Sequence, residues 1–219
     1  MTGTKDERRT LFDRWASTYD ASVRDADFPF LGYDHVLDTL VRCAEVTPGM
    51  AVLDLGTGTG ALAERLSDTR DVDLWGVDFS EEMLARARTR IPSAHFVQVD
   101  LLASCWPADL ARRFDRIVSG YVFHEFDLAA KLSLLQRLAD GYLAPEGRIV
   151  IGDIAFPTVE TRAAAQQRWE AWWDEDEAYW AAGEVIAPLS TLGLDVTYVQ
   201  VSACAGVFTL TRRHDEGSV

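Results

Sequence analysis

Two periodicities alternate along the chain. Runs rich in β-branched residues at 51–55, 72–77, 94–99, 115–119 and 148–154 predict strands, and apolar residues recur at helical spacing between them. Leu128, Leu132, Leu135 and Leu138 share one helix face, as do Leu84, Ala87 and Ile91. Ser80 followed by Glu81 and Glu82 reads as an N-cap with acids in the first turn, where the helix dipole favours them. Pro145 and Gly147 mark a stop before the fifth strand. Two helices, 7–20 and 31–45, precede the first strand. A third, 158–180, follows the fifth and would align Trp169, Trp172, Trp173 and Trp180 along one side, next to an acidic run at 174–177. Such a stripe either packs into the core or walls a pocket from above. The segments 195–201 and 206–211 predict a closing antiparallel hairpin. Strands alternating with helices point to an α/β fold with a mostly parallel sheet of seven strands and helices on both faces.

Composition narrows what such a fold would handle. The 219 residues suffice for one domain with a full core. Lys and Arg total 21 against 35 Asp and Glu, a formal charge of −14, which repels phosphate backbones and anionic headgroups at long range. Nucleic acid and membrane are therefore not expected partners. No apolar run approaches the roughly 20 residues that span a bilayer, and the first nine residues lack a signal-peptide core. Cys43, Cys105 and Cys204 are widely spaced with no CxxC pair, so neither a disulfide framework nor a metal site is expected, and a reducing cytoplasm is the simplest setting.

The chemistry gathers where the strands end. Asp54, Asp78, Asp100 and Asp153 lie at or beside strand ends, the edge at which open parallel sheets bind ligands. Aspartate also suits turns in general, which accounts for any one of them. Asp54 leads into Gly56-Thr57-Gly58-Thr59-Gly60, where glycine allows a sharp bend and close approach of a ligand, and the helix starting near Ala61 offers free N–H groups. Asp78 follows the turn at nearly the spacing of an acid that bonds ribose hydroxyls. Asp100 could accept from an adenine amine, with Phe79 and Leu101 walling the ring. Gly56-x-Gly58-x-x-Ala61 also satisfies a relaxed dinucleotide pattern, so an NAD-dependent oxidoreductase is a rival reading. Against it stand the early acid Asp54, the third acid Asp100 and the lack of a second catalytic domain.

The nonapeptide Val52-Leu53-Asp54-Leu55-Gly56-Thr57-Gly58-Thr59-Gly60 resembles the first motif of class I S-adenosylmethionine-dependent methyltransferases. Val77-Asp78-Phe79-Ser80, Gln98-Val99-Asp100-Leu101, Phe114-Asp115-Arg116-Ile117-Val118-Ser119 and Leu143-Ala144-Pro145-Glu146-Gly147-Arg148 are similar to the later motifs, in order. Phe12-Asp13-Arg14-Trp15-Ala16-Ser17-Thr18-Tyr19-Asp20 and Tyr121-Val122-Phe123-His124-Glu125 extend the likeness to a sparsely characterised bacterial subgroup of small-molecule methyltransferases, which commonly has a second His where this chain has Glu125.

The resemblance implies a single Rossmann-like domain: a helical lid over 1–47, a cofactor-binding core over 48–155, and a helical cap with the closing hairpin over 156–219. It implies that Asp54 and the turn of Gly56, Thr57, Gly58 and Gly60 hold the methionine end of S-adenosylmethionine. It further implies Asp78 on the ribose, Phe79, Met83, Asp100 and Leu101 around adenine, and Ser119, Gly120 and Tyr121 beneath the reacting centre. Trp15 and Tyr19, on one helix face with Phe12, form either core packing or a lid over the cofactor. His124 is either a general base or orienter for the acceptor, or a histidine satisfied within its loop. Glu125 and Tyr121 stand beside it as catalytic candidates, and Asp153 either faces the acceptor or caps a turn. A small-molecule acceptor, no metal, and a monomer or homodimer complete the expectation. A non-catalytic sensor of the same cofactor would carry the same binding motifs.

Overall fold

The computed structural model describes residues 27–213. Its sheet runs in the order β3-β2-β1-β4-β5-β8-β7, with β1 Ala51–Leu55, β2 Asp73–Asp78, β3 His95–Gln98, β4 Phe114–Gly120, β5 Leu143–Phe156, β7 Leu194–Gln200 and β8 Ala205–Arg212. The first five strands are mutually parallel, and β8 enters antiparallel between β5 and β7. A two-residue strand, β6 Trp180–Ala181, adds an eighth by pairing with the end of β5. Reversal of strand order beside β1 opens a crevice between the ends of β1 and β4, the usual ligand position in such sheets.

The central strands are continuous apolar runs because helices cover both faces. On one face α1 (Tyr33–Ala44) presses against β4 and β5. The register partners Gly120 and Gly152 make that approach possible: a Cβ at Gly120 would stand 3.1 Å from Leu37 Cδ2, and one at Gly152 2.9 Å from Val36 Cγ1. Helix α2 (Ala61–Ser67) packs on the same side through Leu62, Ala63 and Leu66. The opposite core holds α4 (Leu128–Arg137), reached after α3 (Glu81–Arg90), and α6 (Ala182–Thr191), reached after α5 (Val159–Arg168). The expected cap of α3 is present, Ser80 Oγ accepting from Met83 N–H at 3.2 Å. Among the described residues no helix is long and apolar enough to cross a membrane.

Two expectations change. Pro145 and Gly147 do not precede the fifth strand but lie inside it: Leu143 already pairs with Phe114, and a register irregularity before Arg116↔Arg148 absorbs the interruption. The helix expected over 158–180 stops at Arg168, and its tryptophans do not form one stripe. Trp169 and Trp173 stack on Phe28 at 4.9 and 5.7 Å, Trp172 is exposed, and Trp180 is buried across the sheet against Phe123 and Phe208. The acidic run lies beyond the helix in a local turn, Asp174 Oδ1 accepting from Asp176 N–H at 2.8 Å. Helix α6 follows despite Gly183 and the internal Pro188, because its apolar face is buried through Val185 and Leu189. The helix expected over 7–20, with Phe12, Trp15 and Tyr19, lies outside the described residues.

Candidate functional site

The glycine turn leaves the end of β1 with three left-handed residues, Gly56 (φ 63°), Gly58 (φ 55°) and Gly60 (φ 87°). Each glycine is required for a different reason. A Cβ on Gly56 would lie 2.4 Å from Val122 Cγ2, which packs directly beneath the turn. One on Gly60 would crowd Ala87 of α3 at 3.3 Å. One on Gly58 would meet no described atom within 4 Å, so this face of the loop is open. Thr57 is buried, its N–H donating to Val77 C=O at 2.9 Å and its Oγ1 to Asp54 Oδ2 at 2.7 Å. Burial, only partly opposed by that hydrogen bond, and the nearby Asp78 charge raise the Asp54 carboxyl to a pKa of about 7.

Asp78 binds the turn to the next strand. Its Oδ2 accepts from Gly58 N–H and its Oδ1 from Ser80 N–H, both at 2.9 Å. Phe79 is held by Gln98 Nε2, which donates to its carbonyl, and Met83 is buried behind it. Asp100 Oδ1 accepts from Leu102 N–H at 2.9 Å, leaving Leu101 buried between them.

At the end of β4, Ser119 Oγ donates to Leu55 C=O at 2.9 Å and so ties the two central strand ends together. That hydroxyl, and the face of Gly120 filled by Leu37, are committed to the frame. Tyr121 has a positive φ of 56°, a strained value for a non-glycine residue, and its ring stacks on Tyr33 at 5.1 Å. The sharp bend turns Val122 under Gly56 and delivers His124 into a 3-10 turn, Phe123–Glu125.

His124 is buried and bound to Asp153. Asp153, with no exposed surface, takes His124 N–H on Oδ2 (2.8 Å), His124 Nδ1 on Oδ1 (2.6 Å) and Trp180 Nε1–H on Oδ2 (3.0 Å). Asp153 thus caps the turn through His124 N–H and also holds the His124 ring. Burial disfavours the imidazolium, but the charge and hydrogen bond of Asp153, aided by Glu177 and Glu125, outweigh it and raise the pKa to about 9. Burial would raise Asp153 itself, yet His124 and then Lys131 hold it below its ordinary value. Lys131, lowered to about 8 by burial, donates to Ala178 C=O and lies 4.4 Å over the Trp180 ring. The outer ring atom, His124 Nε2, faces Glu125 at 3.9 Å and Glu177 at 3.8 Å. The raised pKa favours a protonated ring at neutral pH, with its nitrogens as donors.

The structure therefore gathers Asp54, Gly56, Thr57, Gly58, Gly60 and Asp78 into one turn and places the His124–Glu125 corner beneath it through Val122. Trp15 and Tyr19 lie outside the described residues. Lys131, Glu177 and Trp180 join the corner unforeseen. No local spacing announces them, because they come from α4, the loop after α5, and β6.

The profile of the methyltransferase domain matches residues 52–147. A relative from Geobacillus kaustophilus, an uncharacterized methyltransferase, is 30% identical over 215 residues, covering 93% of this chain and 96% of its own. Among solved structures, a DhpI-SAM-HEP complex superposes with a TM-score of 0.73 at 21% identity, over 96% of this chain and 98% of that one. A methyltransferase in complex with the Haloferax volcanii Trm112 activator also scores 0.73 at 20% identity, over 95% and 99%. The dinucleotide reading of the glycine turn gives way to these matches. The chain belongs to the class I S-adenosylmethionine-dependent methyltransferases.

Proposed function

We propose that the chain binds S-adenosylmethionine on the Gly56–Gly60 turn and moves its methyl group to a small-molecule acceptor by in-line displacement. The observation that carries this is the face at Gly58, open among the described residues, with Asp78 accepting from Gly58 N–H and Asp54 buried behind Thr57. A ligand bearing an ammonium and a sulfonium suits that pair of acids, and a left-handed glycine lets it approach the backbone. Asp78 would take the ribose hydroxyls. Phe79, Met83, Asp100 and Leu101 would enclose adenine, and Trp15 with Tyr19 would close over the methionine end. Bound there, the cofactor supplies a methyl group already activated for displacement.

The protein's own contribution is alignment and exclusion of water. Tyr121, held by its strained backbone and its stack on Tyr33, would wall the acceptor side together with the Ser119–Gly120 strand end. The His124–Glu125 corner would orient the acceptor. A small acceptor is supported by the charge of −14, which disfavours polyanions. The whole chain would act as one domain.

Calorimetry with S-adenosylhomocysteine and NAD in parallel tests the cofactor. Binding of the first alone is expected, and tight binding of NAD alone would overturn the reading. A metabolite screen that follows release of S-adenosylhomocysteine then tests the acceptor class.

A further inference from the structure

We propose that His124, Glu125 and Glu177 form a divalent-cation site at the carboxyl edge of the sheet, adjacent to the glycine turn. Their candidate donor atoms all lie within 4.8 Å of one another. His124 Nε2 stands 3.9 Å from Glu125 Oε1 and 3.8 Å from Glu177 Oε1, too far for hydrogen bonds. Two ligands about 2.1 Å from one ion at the tetrahedral angle stand roughly 3.4 Å apart, so small side-chain rotations suffice to close on an ion.

A second observation concerns the histidine itself. His124 is 7% exposed and its ring is fixed from behind, Nδ1 lying 2.6 Å from Asp153. A carboxylate behind a histidine, holding one ring nitrogen and aiming the other, is the arrangement found behind metal-bound histidines. Asp153 is in turn held by Trp180 Nε1.

A bound ion would take the place of the Nε2 proton. One imidazole and two carboxylates suit zinc, manganese, iron or cobalt better than calcium. The remaining coordination positions would be open to water or to an oxygen or nitrogen donor of the methyl acceptor. Glu177 comes far downstream of the His124–Glu125 pair, so no local spacing reveals the site.

The test uses untagged, metal-stripped full-length protein titrated with Zn2+ by calorimetry and with Co2+ by visible absorption. One equivalent should bind, with the spectrum of nitrogen and oxygen ligation. Because His124→Ala leaves Asp153 buried without its cation, Glu125→Gln and Glu177→Gln carry the comparison, and each should weaken Zn2+ binding on the order of tenfold or more. Affinity for S-adenosylhomocysteine, measured on the metal-stripped Glu177→Gln protein, should be unchanged. Failure of the parent protein to bind that nucleoside would strike the cofactor reading and leave the cation site standing. No stoichiometric Zn2+ or Co2+ binding, or binding that both glutamine variants retain in full, would overturn the site.

Discussion

Asp153 Oδ1 stands 2.6 Å from His124 Nδ1, and the pair links β5 to the turn after β4 in a setting closed to water. The contact is a buried ion pair whose members also accept or donate three further hydrogen bonds, His124 N–H, Ile154 N–H and Trp180 Nε1–H to the carboxylate. Removing one charge from such a pair leaves the other uncompensated. Asp153→Asn should therefore destabilise the protein by about 3–5 kcal/mol, measured as the loss of unfolding free energy in urea. A change below about 1 kcal/mol would show that the pair is not charged in the folded state.

Gly56 and Gly58 should respond differently to alanine. Both carry positive φ, which costs roughly 1–2 kcal/mol for any residue with a Cβ. Gly56→Ala adds a collision with Val122 at 2.4 Å and should lower stability well beyond that figure. Gly58→Ala meets no described neighbour, so its stability loss should stay near the strain alone while its affinity for S-adenosylhomocysteine falls steeply. Thermal unfolding and calorimetry on the two variants separate the effects. Equal affinity in Gly58→Ala and the parent would remove this face of the turn from the cofactor site.

Asp54 makes stability and binding depend on pH in opposite senses. Its folded pKa of about 7 exceeds the ordinary value of 3.8, so the folded protein holds an extra proton between those limits. The contribution of Asp54 to stability is thus full below pH 3.8 and is lost as pH rises through about 7. Asp54→Asn should raise stability at pH 8 by on the order of 2 kcal/mol and leave it nearly unchanged near pH 4. Affinity of the parent for S-adenosylmethionine, a cation at its sulfonium, should rise as pH increases from 6 to 8 because the ionised carboxylate attracts it. A flat binding profile across that range would show that Asp54 does not sense the ligand's charge.

Asp78 has the other direct test. Asp78→Ala should weaken S-adenosylmethionine binding by roughly 1.5–3 kcal/mol, the scale of a hydrogen bond to a charged group. Since Asp78 also receives Gly58 and Ser80 N–H, Asp78→Asn serves as the milder companion and should lose less. Unchanged affinity in a folded Asp78→Ala protein would exclude it from the site.

Strand and helix order, the glycine turn and the acids at strand ends were all legible along the chain, because each depends on residues close in sequence. β-branched runs become central strands wherever helices cover them, and left-handed turns demand glycine at Gly56, Gly58 and Gly60 whatever surrounds them. The stretch from 158 to 191 was not legible. There α5 stopped at Arg168, short of the spacing that predicted it, while burial formed α6 in spite of Pro188. The tryptophans were assigned to one helix by spacing, yet the fold sent Trp169 and Trp173 to one face of the sheet and Trp180 to the other.

The glycine turn and Asp54 could thus be found from sequence alone, since their chemistry lies in a continuous segment. The roles of His124 and Asp153 could not. His124 has two ordinary readings as an isolated residue, and the partners that surround it, an aspartate at the end of the neighbouring strand, a tryptophan from β6 and a lysine from α4, come together only in the fold. Buried charge takes its meaning from the partners that tertiary structure brings within a few ångströms, and those partners leave no periodic trace in the chain.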